Sequence, residues 1–254
     1  MRAAALAAAL IGTALVVSGC GSGIPAGTNP PQAEPVSDVG ATATAESSPV
    51  VSAEVAEASL FEAAAADDAE GVREALAQGA SIDARGEEGR TPLVAATKAN
   101  AVAAAIALID AGADVNAKDD MHDSAFLYAG AEGLNEILAR TLAHGADVLS
   151  TNRFGGTALI PASEHGYGET VRMLVAAGVP VNHVNDPGWT ALLEAVVYGD
   201  GSARYVDVVT QLLDAGADPT IRDADGSTAL DHARKLGQRE VAELLRASLG
   251  AGAN

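Results

Sequence analysis

Three side chains in the middle of the chain have the types needed to move protons. Glu164 and His165 are adjacent in the segment "PASEHGYG", and Glu194 follows in "TALLEAVV". A carboxylate and an imidazole that reach a bound substrate can act as general acid and general base. The same carboxylates can instead attract a cation or the charged group of a small molecule. These residues alone leave an enzyme and a small-molecule or cation receptor open as alternatives.

Other reactive patterns are missing from the sequence. It contains no phosphate-binding loop, nucleophile elbow or zinc-binding helix motif. The five histidines are scattered and no pair has close ligand spacing; they are His122, His144, His165, His183 and His232. We therefore expect no metal site and no cofactor.

The only cysteine, Cys20, follows a leader typical of a secreted protein. Arg2 and the α-amino group supply positive charge, residues 3–17 are mostly apolar, and small residues follow. The apolar run is shorter than the about 20 residues that a membrane-spanning helix needs. An ordinary secretory leader with an incidental cysteine is one interpretation of this segment.

The segment Val17-Ser18-Gly19-Cys20 resembles the lipobox of bacterial lipoproteins. In that family the cysteine is diacylated, with palmitate among the usual acyl groups, before the leader is removed. The resemblance implies a signal peptide over residues 1–19 and a lipid on Cys20. It also implies a location on the extracytoplasmic face of a bacterial membrane, either the cell membrane or the outer membrane.

Residues 20–58 have the composition of a flexible tether. They are rich in Gly, Pro, Ser, Thr and Ala and contain no aromatic residue, so they cannot bury enough apolar surface to offset the entropy of ordering. A coil of this length spans roughly 30 to 40 Å. We expect this linker to hold a domain over residues 59–254 clear of the membrane.

The acidic composition excludes nucleic acid as a partner. The chain carries 34 Asp plus Glu against 15 Lys plus Arg, a formal net charge of −19, whereas a nucleic-acid binder needs a basic face. An anionic lipid surface would also repel the domain. We therefore expect membrane contact only through the N-terminal lipid, and a protein partner with a basic surface.

From Leu60 onward, two short motifs recur with one shared period. One series begins with Thr91-Pro92-Leu93 and the other with Gly79-Ala80, and both step by 33, 33, 33 and 38 residues. The first series starts at Thr91, Ser124, Thr157, Thr190 and Thr228, and the second at Gly79, Gly112, Gly145, Gly178 and Gly216. Two motifs that share a period and a five-residue insertion indicate a repeat array.

Each repeat has the pattern of two short helices followed by an extended turn. Thr190 can cap a helix with Leu192 and Val196 at helical spacing, and residues 206–213 form a second amphipathic segment that ends before Gly216. Neither helix can bury its apolar stripe alone, so neighbouring units must stack. We predict an all-α solenoid of about six stacked helix-turn-helix units with protruding hairpins.

These repeats resemble the ankyrin-repeat family in the segments "EGRTPLVAATKAN", "LIDAGADVNAKD" and "DGSTALDHARKLG". The resemblance implies a concave face, made of the first helices and the hairpin tips, that binds a protein. It also implies that the recurring Asp114, Asp147 and Asp218 help to fix the hairpins, which disfavours a calcium site. Two departures are expected to act locally. Pro161 falls inside a first helix and His122 replaces a turn glycine, while the insertion near "GDGSARY" should lengthen one loop between helices.

The repeat register identifies the side chains expected on the concave face. Aromatic residues and arginine often anchor interfaces, and here they are interspersed with carboxylates. The predicted partner-binding residues are Tyr128, Glu132, Arg153, Phe154, Glu164, His165, Trp189, Glu194 and Tyr198. The alternative is that these positions tolerate any residue and that Trp189 only covers its own hairpin.

We therefore predict a lipid-anchored, non-enzymatic module that binds a protein through its concave face. A shallow face neither excludes water nor readily shifts the pKa of a carboxylate, which argues against an enzyme that uses Glu164, His165 and Glu194. A receptor for a small molecule or cation in the acidic groove remains the alternative.

Overall fold

Twelve α-helices in six consecutive pairs make up the part of the chain that the computed structural model describes, residues 52–251. The first helices of the pairs are α1 (Ala53–Ala65), α3 (Pro92–Lys98), α5 (Ala125–Ala131), α7 (Leu159–Glu164), α9 (Ala191–Val197) and α11 (Ala229–Lys235). The second helices are α2 (Ala69–Ala77), α4 (Val102–Asp110), α6 (Asn135–Ala143), α8 (Gly168–Ala176), α10 (Ala203–Asp214) and α12 (Arg239–Ala251). No strand is present in residues 52–251, so the predicted all-α solenoid is confirmed.

Four of the first helices begin at the predicted caps. The side-chain hydroxyls of Thr91, Ser124 and Thr190 each accept a hydrogen bond at 3.2 Å from the backbone N–H three residues later. The Thr228 hydroxyl accepts in the same way at 3.2 Å, and the Asp231 carboxylate accepts from the Thr228 N–H at 3.0 Å. These bonds satisfy N–H groups that lack a partner inside the helix, which fixes where each first helix starts.

Pro161 disturbs the start of α7, as expected. Its ring nitrogen has no hydrogen to donate to the Thr157 carbonyl, which instead accepts from the Ile160 N–H at 3.2 Å. Helix α7 consequently begins at Leu159, and the buried Thr157 hydroxyl has no hydrogen-bond partner among the described residues. The local geometry of this unit therefore differs from that of its neighbours.

The hairpins, at residues 79–90, 112–123, 145–156, 178–189 and 216–227, follow one local design. In each, a backbone hydrogen bond closes the tip, such as the 3.0 Å bond from the Asn185 N–H to the Trp189 carbonyl. The turn needs a left-handed residue, and His122 adopts it with φ of 61° where Gly155 has φ of 69°. Asp114, Asp147 and Asp218 each accept from the N–H two residues later, which gives them the structural role that the resemblance implied.

Stacking of the units buries one continuous apolar core. Leucines from successive units, among them Leu93, Leu138, Leu159, Leu192 and Leu212, are at most 2% exposed. At Gly130 a Cβ would lie 2.7 Å from the Cβ of Ala158, so the glycine allows α5 and α7 to approach closely. Each helix pair is therefore stabilised by its neighbours.

Asparagine side chains also join the second hairpin to the third and the fourth hairpin to the fifth. Asn116 donates to the Gly145 carbonyl at 3.0 Å and accepts from the Asp147 N–H at 2.8 Å. Asn182 makes the same pair of bonds two hairpins further on, at 3.0 and 2.7 Å. The equivalent residue between these two asparagines is Leu149, which is 65% exposed and has no side-chain oxygen to accept a hydrogen bond. Pro180 holds the position of the backbone donor and has no N–H.

The five-residue insertion is divided between a loop and a helix. Three residues separate the first and second helices in the second, third, fourth and sixth units, whereas residues 198–202 separate them in the fifth. The other inserted residues lengthen α10, which has 12 residues where α4, α6 and α8 have 9. The expected longer loop is present, and it accounts for only part of the insertion.

The first helix begins at Ala53, six residues before the predicted start of the domain at residue 59. Ser52 caps it by accepting from the Val55 N–H, and Ala56 is fully buried. Residues 53–58 therefore belong to α1, although their composition suggested linker, because they pack on the first unit. The predicted signal peptide, Cys20 and the rest of the predicted linker lie outside the described residues.

Candidate functional site

The first helices and hairpins of the third to fifth units enclose a groove of about 490 Å³. Seven of the nine predicted partner-binding residues line it: Tyr128, Glu132, Arg153, Phe154, Glu164, His165 and Glu194. They come from α5, α7 and α9 and from the hairpin at residues 145–156. Residues that are far apart in the sequence therefore meet in one groove because the repeat register puts them on the same face.

Trp189 and Tyr198 lie beside the groove and do not line it. Their ring centroids are 6.1 Å apart, and the Trp189 ring is also 6.1 Å from that of His232 in the sixth unit. Tyr198 is 59% exposed, whereas Trp189 is half-buried against the core. Trp189 therefore packs across two units, and it does more than cover its own hairpin.

The edge of the groove is formed by the hairpin tip that carries Arg153 and Phe154, both exposed. The Phe154 carbonyl accepts from the Asp186 N–H of the next hairpin at 3.0 Å. The Arg153 guanidinium lies 4.6 Å from the Phe154 ring centroid, within the range of a cation–π contact. The backbone bond holds this edge in place while the two side chains remain accessible.

Asn185 is a member of the site that sequence reasoning missed. It is 8% exposed, lines the groove, and donates from Nδ2 to Oε1 of Glu194 at 3.1 Å. Its Oδ1 accepts from the Trp189 N–H at 2.7 Å. The available signal was its register, because Asp119, Asn152 and Asp223 hold the same hairpin position and accept the same kind of backbone bond.

Glu194 is the most perturbed group in the groove. It is 9% exposed, and this burial, together with the neighbouring Glu164 carboxylate, raises its pKa to about 7, against the opposing hydrogen bond from Asn185. Burial and the same two carboxylates also raise the pKa of Tyr198. The expectation that this face cannot shift the pKa of a carboxylate was wrong, because Glu194 lies under the hairpin and is not on an open surface.

A raised pKa links the stability of the fold to pH. Protonation of Glu194 stabilises the folded state. This contribution to the free energy of unfolding is complete below the ordinary pKa of 4.5 and is lost as pH rises through about 7. We therefore expect Glu194→Gln to exceed the wild type in free energy of unfolding by about 1 to 2 kcal/mol near pH 8, after allowance for solvent screening. Near pH 4 the advantage should disappear. Urea unfolding followed by circular dichroism at both pH values measures this, and the same difference at both would contradict the assignment.

Two negative findings apply to residues 52–251. Within that range no group of three or more His, Cys, Asp or Glu side chains is placed to hold a metal ion. No helix in the same part of the chain combines the length and the apolar character that a membrane crossing requires.

The chain is similar to known repeat proteins over most of its described length. A family model described as ankyrin repeats in three copies matches residues 126–223, and a model of a single ankyrin repeat matches residues 88–120. A crystal structure of an ankyrin repeat domain from Acinetobacter baumannii is 57% identical, with a TM-score of 0.73, and the match covers 74% of this chain and 96% of that one. A second, of the ankyrin repeat protein EF0377, is 42% identical with a TM-score of 0.72 and coverage of 75% and 97%.

One curated relative has a name that also mentions an anchor. It is named as an ankyrin-containing lipoprotein of Leifsonia xyli subsp. xyli, and it is 66% identical over 41 residues. The matched segment makes up 16% of this chain and 16% of that protein.

Proposed function

Since the chain belongs to the ankyrin-repeat family, whose members are generally protein-interaction modules, we propose that its groove binds a protein partner on the extracytoplasmic face of a bacterial membrane. The observation that carries the proposal is the groove itself. It has a volume of about 490 Å³ and brings together aromatic, basic and acidic side chains from three units. Interfaces are anchored by residues of these types.

The tether to the membrane is proposed from the leader and from the relative's name. Val17-Ser18-Gly19-Cys20 has the lipobox pattern, and the curated relative is named as a lipoprotein. We propose that Cys20 carries the lipid and that the residues before Ala53 connect it to the first unit. The repeat domain then meets its partner outside the cytoplasm.

An enzyme and a small-molecule receptor have less support. Glu194, beside Glu164, has a pKa raised to about 7, which suits an acid–base catalyst. However, the side chains around it are exposed at one edge, as Phe154 is at 51%, and active sites generally bury the substrate. An open edge suits a protein surface better than a small molecule.

The binding site is tested by truncations on its two edges. We expect Arg153→Ala or Tyr198→Ala to weaken partner binding by about 2 kcal/mol or more for at least one of them, which is the size of an interface hot spot. Both side chains are exposed, so folding should be nearly unchanged. The measurement is the amount of partner that each variant retains from solubilised membranes, followed by titration with the purified partner.

Glu169→Ala and Asp207→Ala are the controls for this test. Both residues are exposed on second helices, α8 and α10, and should leave binding near the wild-type value. Trp189→Ala belongs in the set only with a check of stability, because the ring packs against the core. If the second-helix changes abolish binding and the groove changes do nothing, the site lies on the other face of the solenoid.

A further inference from the structure

Buried carboxylates at two hairpins of the solenoid are paired with a lysine or histidine side chain of the protein itself. At the second hairpin, Oδ2 of Asp119 lies 2.8 Å from Nζ of Lys98. At the last hairpin, Oδ2 of Asp223 lies 2.6 Å from Nε2 of His232, and this hydrogen bond lowers the pKa of Asp223. Such pairing is the usual condition for burying a charged group.

The groove breaks this pattern at the equivalent position. Asp223 and His232 are nine residues apart, and the residues at the same two positions one unit earlier are Asn185 and Glu194. In the fifth unit the carboxylate is therefore on the helix, as Glu194, and the hairpin position of Asp223 is occupied by the amide of Asn185. The other near neighbour of the Glu194 carboxyl is a second carboxyl, that of Glu164. Of the ion pairs formed within residues 52–251, none involves Glu164 or Glu194.

Several of the charged and titratable groups on the surrounding elements have other partners. Those that line the groove with Glu194 are Asp123, Tyr128, Glu132, Arg153, Glu164 and His165, and Asp123 pairs with Lys98. Tyr198, Tyr205 and His232 lie beside the groove. His232 binds Asp223, Arg153 lies over Phe154, and the His165 ring is 5.4 Å from that of Tyr167. The Tyr205 hydroxyl donates to the Glu164 carbonyl at 2.9 Å, which holds the end of α7 in place.

The surroundings of the pair suit an organic cation. Tyr128 and Phe154 line the groove and Tyr198 stands beside it, and aromatic faces attract ammonium and guanidinium groups. At one end of the groove, Lys98 pairs with the lining Asp123 at 2.9 Å and lies 5.1 Å from the Tyr128 ring centroid. Glu164 and Glu194 thus have aromatic neighbours in the groove, and no cation of residues 52–251 pairs with either of them.

We propose that Glu164 and Glu194 together bind one lysine or arginine side chain of the protein partner, and that this contact makes the partner's affinity depend on pH. The proposal rests on the proposed function, since it concerns the same groove. It commits the occupant to a basic protein segment, in keeping with the net charge of −19. A free metal ion and a free polyamine are the competing occupants to be tested.

The direction of the pH dependence follows from the protonation of the pair. A cation binds the deprotonated pair, so the proton on Glu194 must leave as the partner arrives. With a pKa of about 7 in the free protein, about one pair in ten is deprotonated near pH 6 and about nine in ten near pH 8. Affinity should therefore rise about tenfold between these two pH values.

The test uses a capped hexalysine peptide as the probe and the only tryptophan, Trp189, as the reporter. Trp189 adjoins the groove through Tyr198, so its fluorescence should change when the probe binds. Titrations near pH 6 and pH 8 at physiological ionic strength should give affinities that differ about tenfold. Calorimetry in two buffers of different ionisation enthalpy should show release of about half a proton near pH 7 and nearly one proton near pH 6. Hexalysine with every amine acetylated, spermidine and calcium chloride are titrated in parallel.

A matched pair of double variants separates the site from general attraction to an acidic protein. Glu164→Gln with Glu194→Gln should lower the hexalysine affinity about tenfold or more near pH 8 and remove its pH dependence. Glu74→Gln with Glu243→Gln removes the same charge from exposed positions on α2 and α12 and should retain the pH dependence. Circular dichroism confirms that each variant is folded.

Several results would overturn the proposal. These are no association of hexalysine with the wild type near pH 8, an affinity that does not change with pH, equal losses in the two double variants, or tighter binding of spermidine or calcium than of hexalysine. If the natural partner still needs Arg153 and Tyr198 but binds the Glu164→Gln, Glu194→Gln protein normally at both pH values, the groove remains the interface and this proposal alone fails.

Discussion

Leu192→Ala is expected to lower the free energy of unfolding by about 2 to 5 kcal/mol, the range for a buried leucine truncated in a packed core. Leu192 lies in α9 and is 2% exposed. Helix α9 packs against α7, α10 and α11, so the cavity would weaken the contacts of the fifth unit with both of its neighbours. Urea unfolding followed by circular dichroism measures the change.

The control is the same substitution at an exposed leucine. Leu149 is 65% exposed in the hairpin at residues 145–156, so Leu149→Ala should change stability by less than about 0.5 kcal/mol. Glu87→Ala, at the tip of the first hairpin, should be equally mild. Equal losses at Leu192 and Leu149 would mean that the assigned register of the repeats is incorrect.

Cys20→Ser is expected to move the protein from the membrane fraction to the soluble fraction, or to leave an uncleaved precursor. Each buried methylene of an acyl chain contributes about 0.8 kcal/mol to membrane binding, so two or three chains hold a protein firmly at a membrane. A serine offers no thiol for the lipid. Fractionation followed by mass spectrometry of the N-terminal peptide measures both location and acyl mass.

Ser18→Ala is the matched control for the anchor. It keeps a small residue at a lipobox position that requires only small size, so attachment and acylation should be unchanged. A mature N-terminus elsewhere in the chain, with no acyl mass on Cys20, would refute the lipoprotein proposal. The repeat fold and the groove would be unaffected by that result.

The architecture was predictable because its signals are local and repeated. The hydroxyl caps at Thr91, Ser124 and Thr190 depend on atoms three residues apart, and the 33-residue period identifies every unit that has them. Pro161 was also interpretable, since the missing N–H is a property of the residue itself. The start of α1 was not predictable. The composition of residues 53–58 resembles that of the linker, and these residues are helical because they pack on neighbouring helices.

Membership of the groove was also largely predictable from the register. A shared period places residues on one face, and seven of the nine predicted residues line the groove. Trp189 and Tyr198 were placed on the correct face but lie beside the groove, because the contacts of the Trp189 ring with Tyr198 and with His232 are decided by packing between units. Asn185 was missed because its side chain functions through one contact, with Glu194, that spans a hairpin and a helix.

The sequence by itself determined the period, the starts of four of the first helices, the acidic charge and the face on which the aromatic and acidic residues lie. Only the tertiary structure decided that Glu194 is 9% exposed, that Glu164 is its carboxyl neighbour and that no cation of residues 52–251 pairs with either. The physical reason is that periodicity and capping arise from atoms close together in the chain. Burial and the interaction of two charges depend on distances between units, which are set when the units stack.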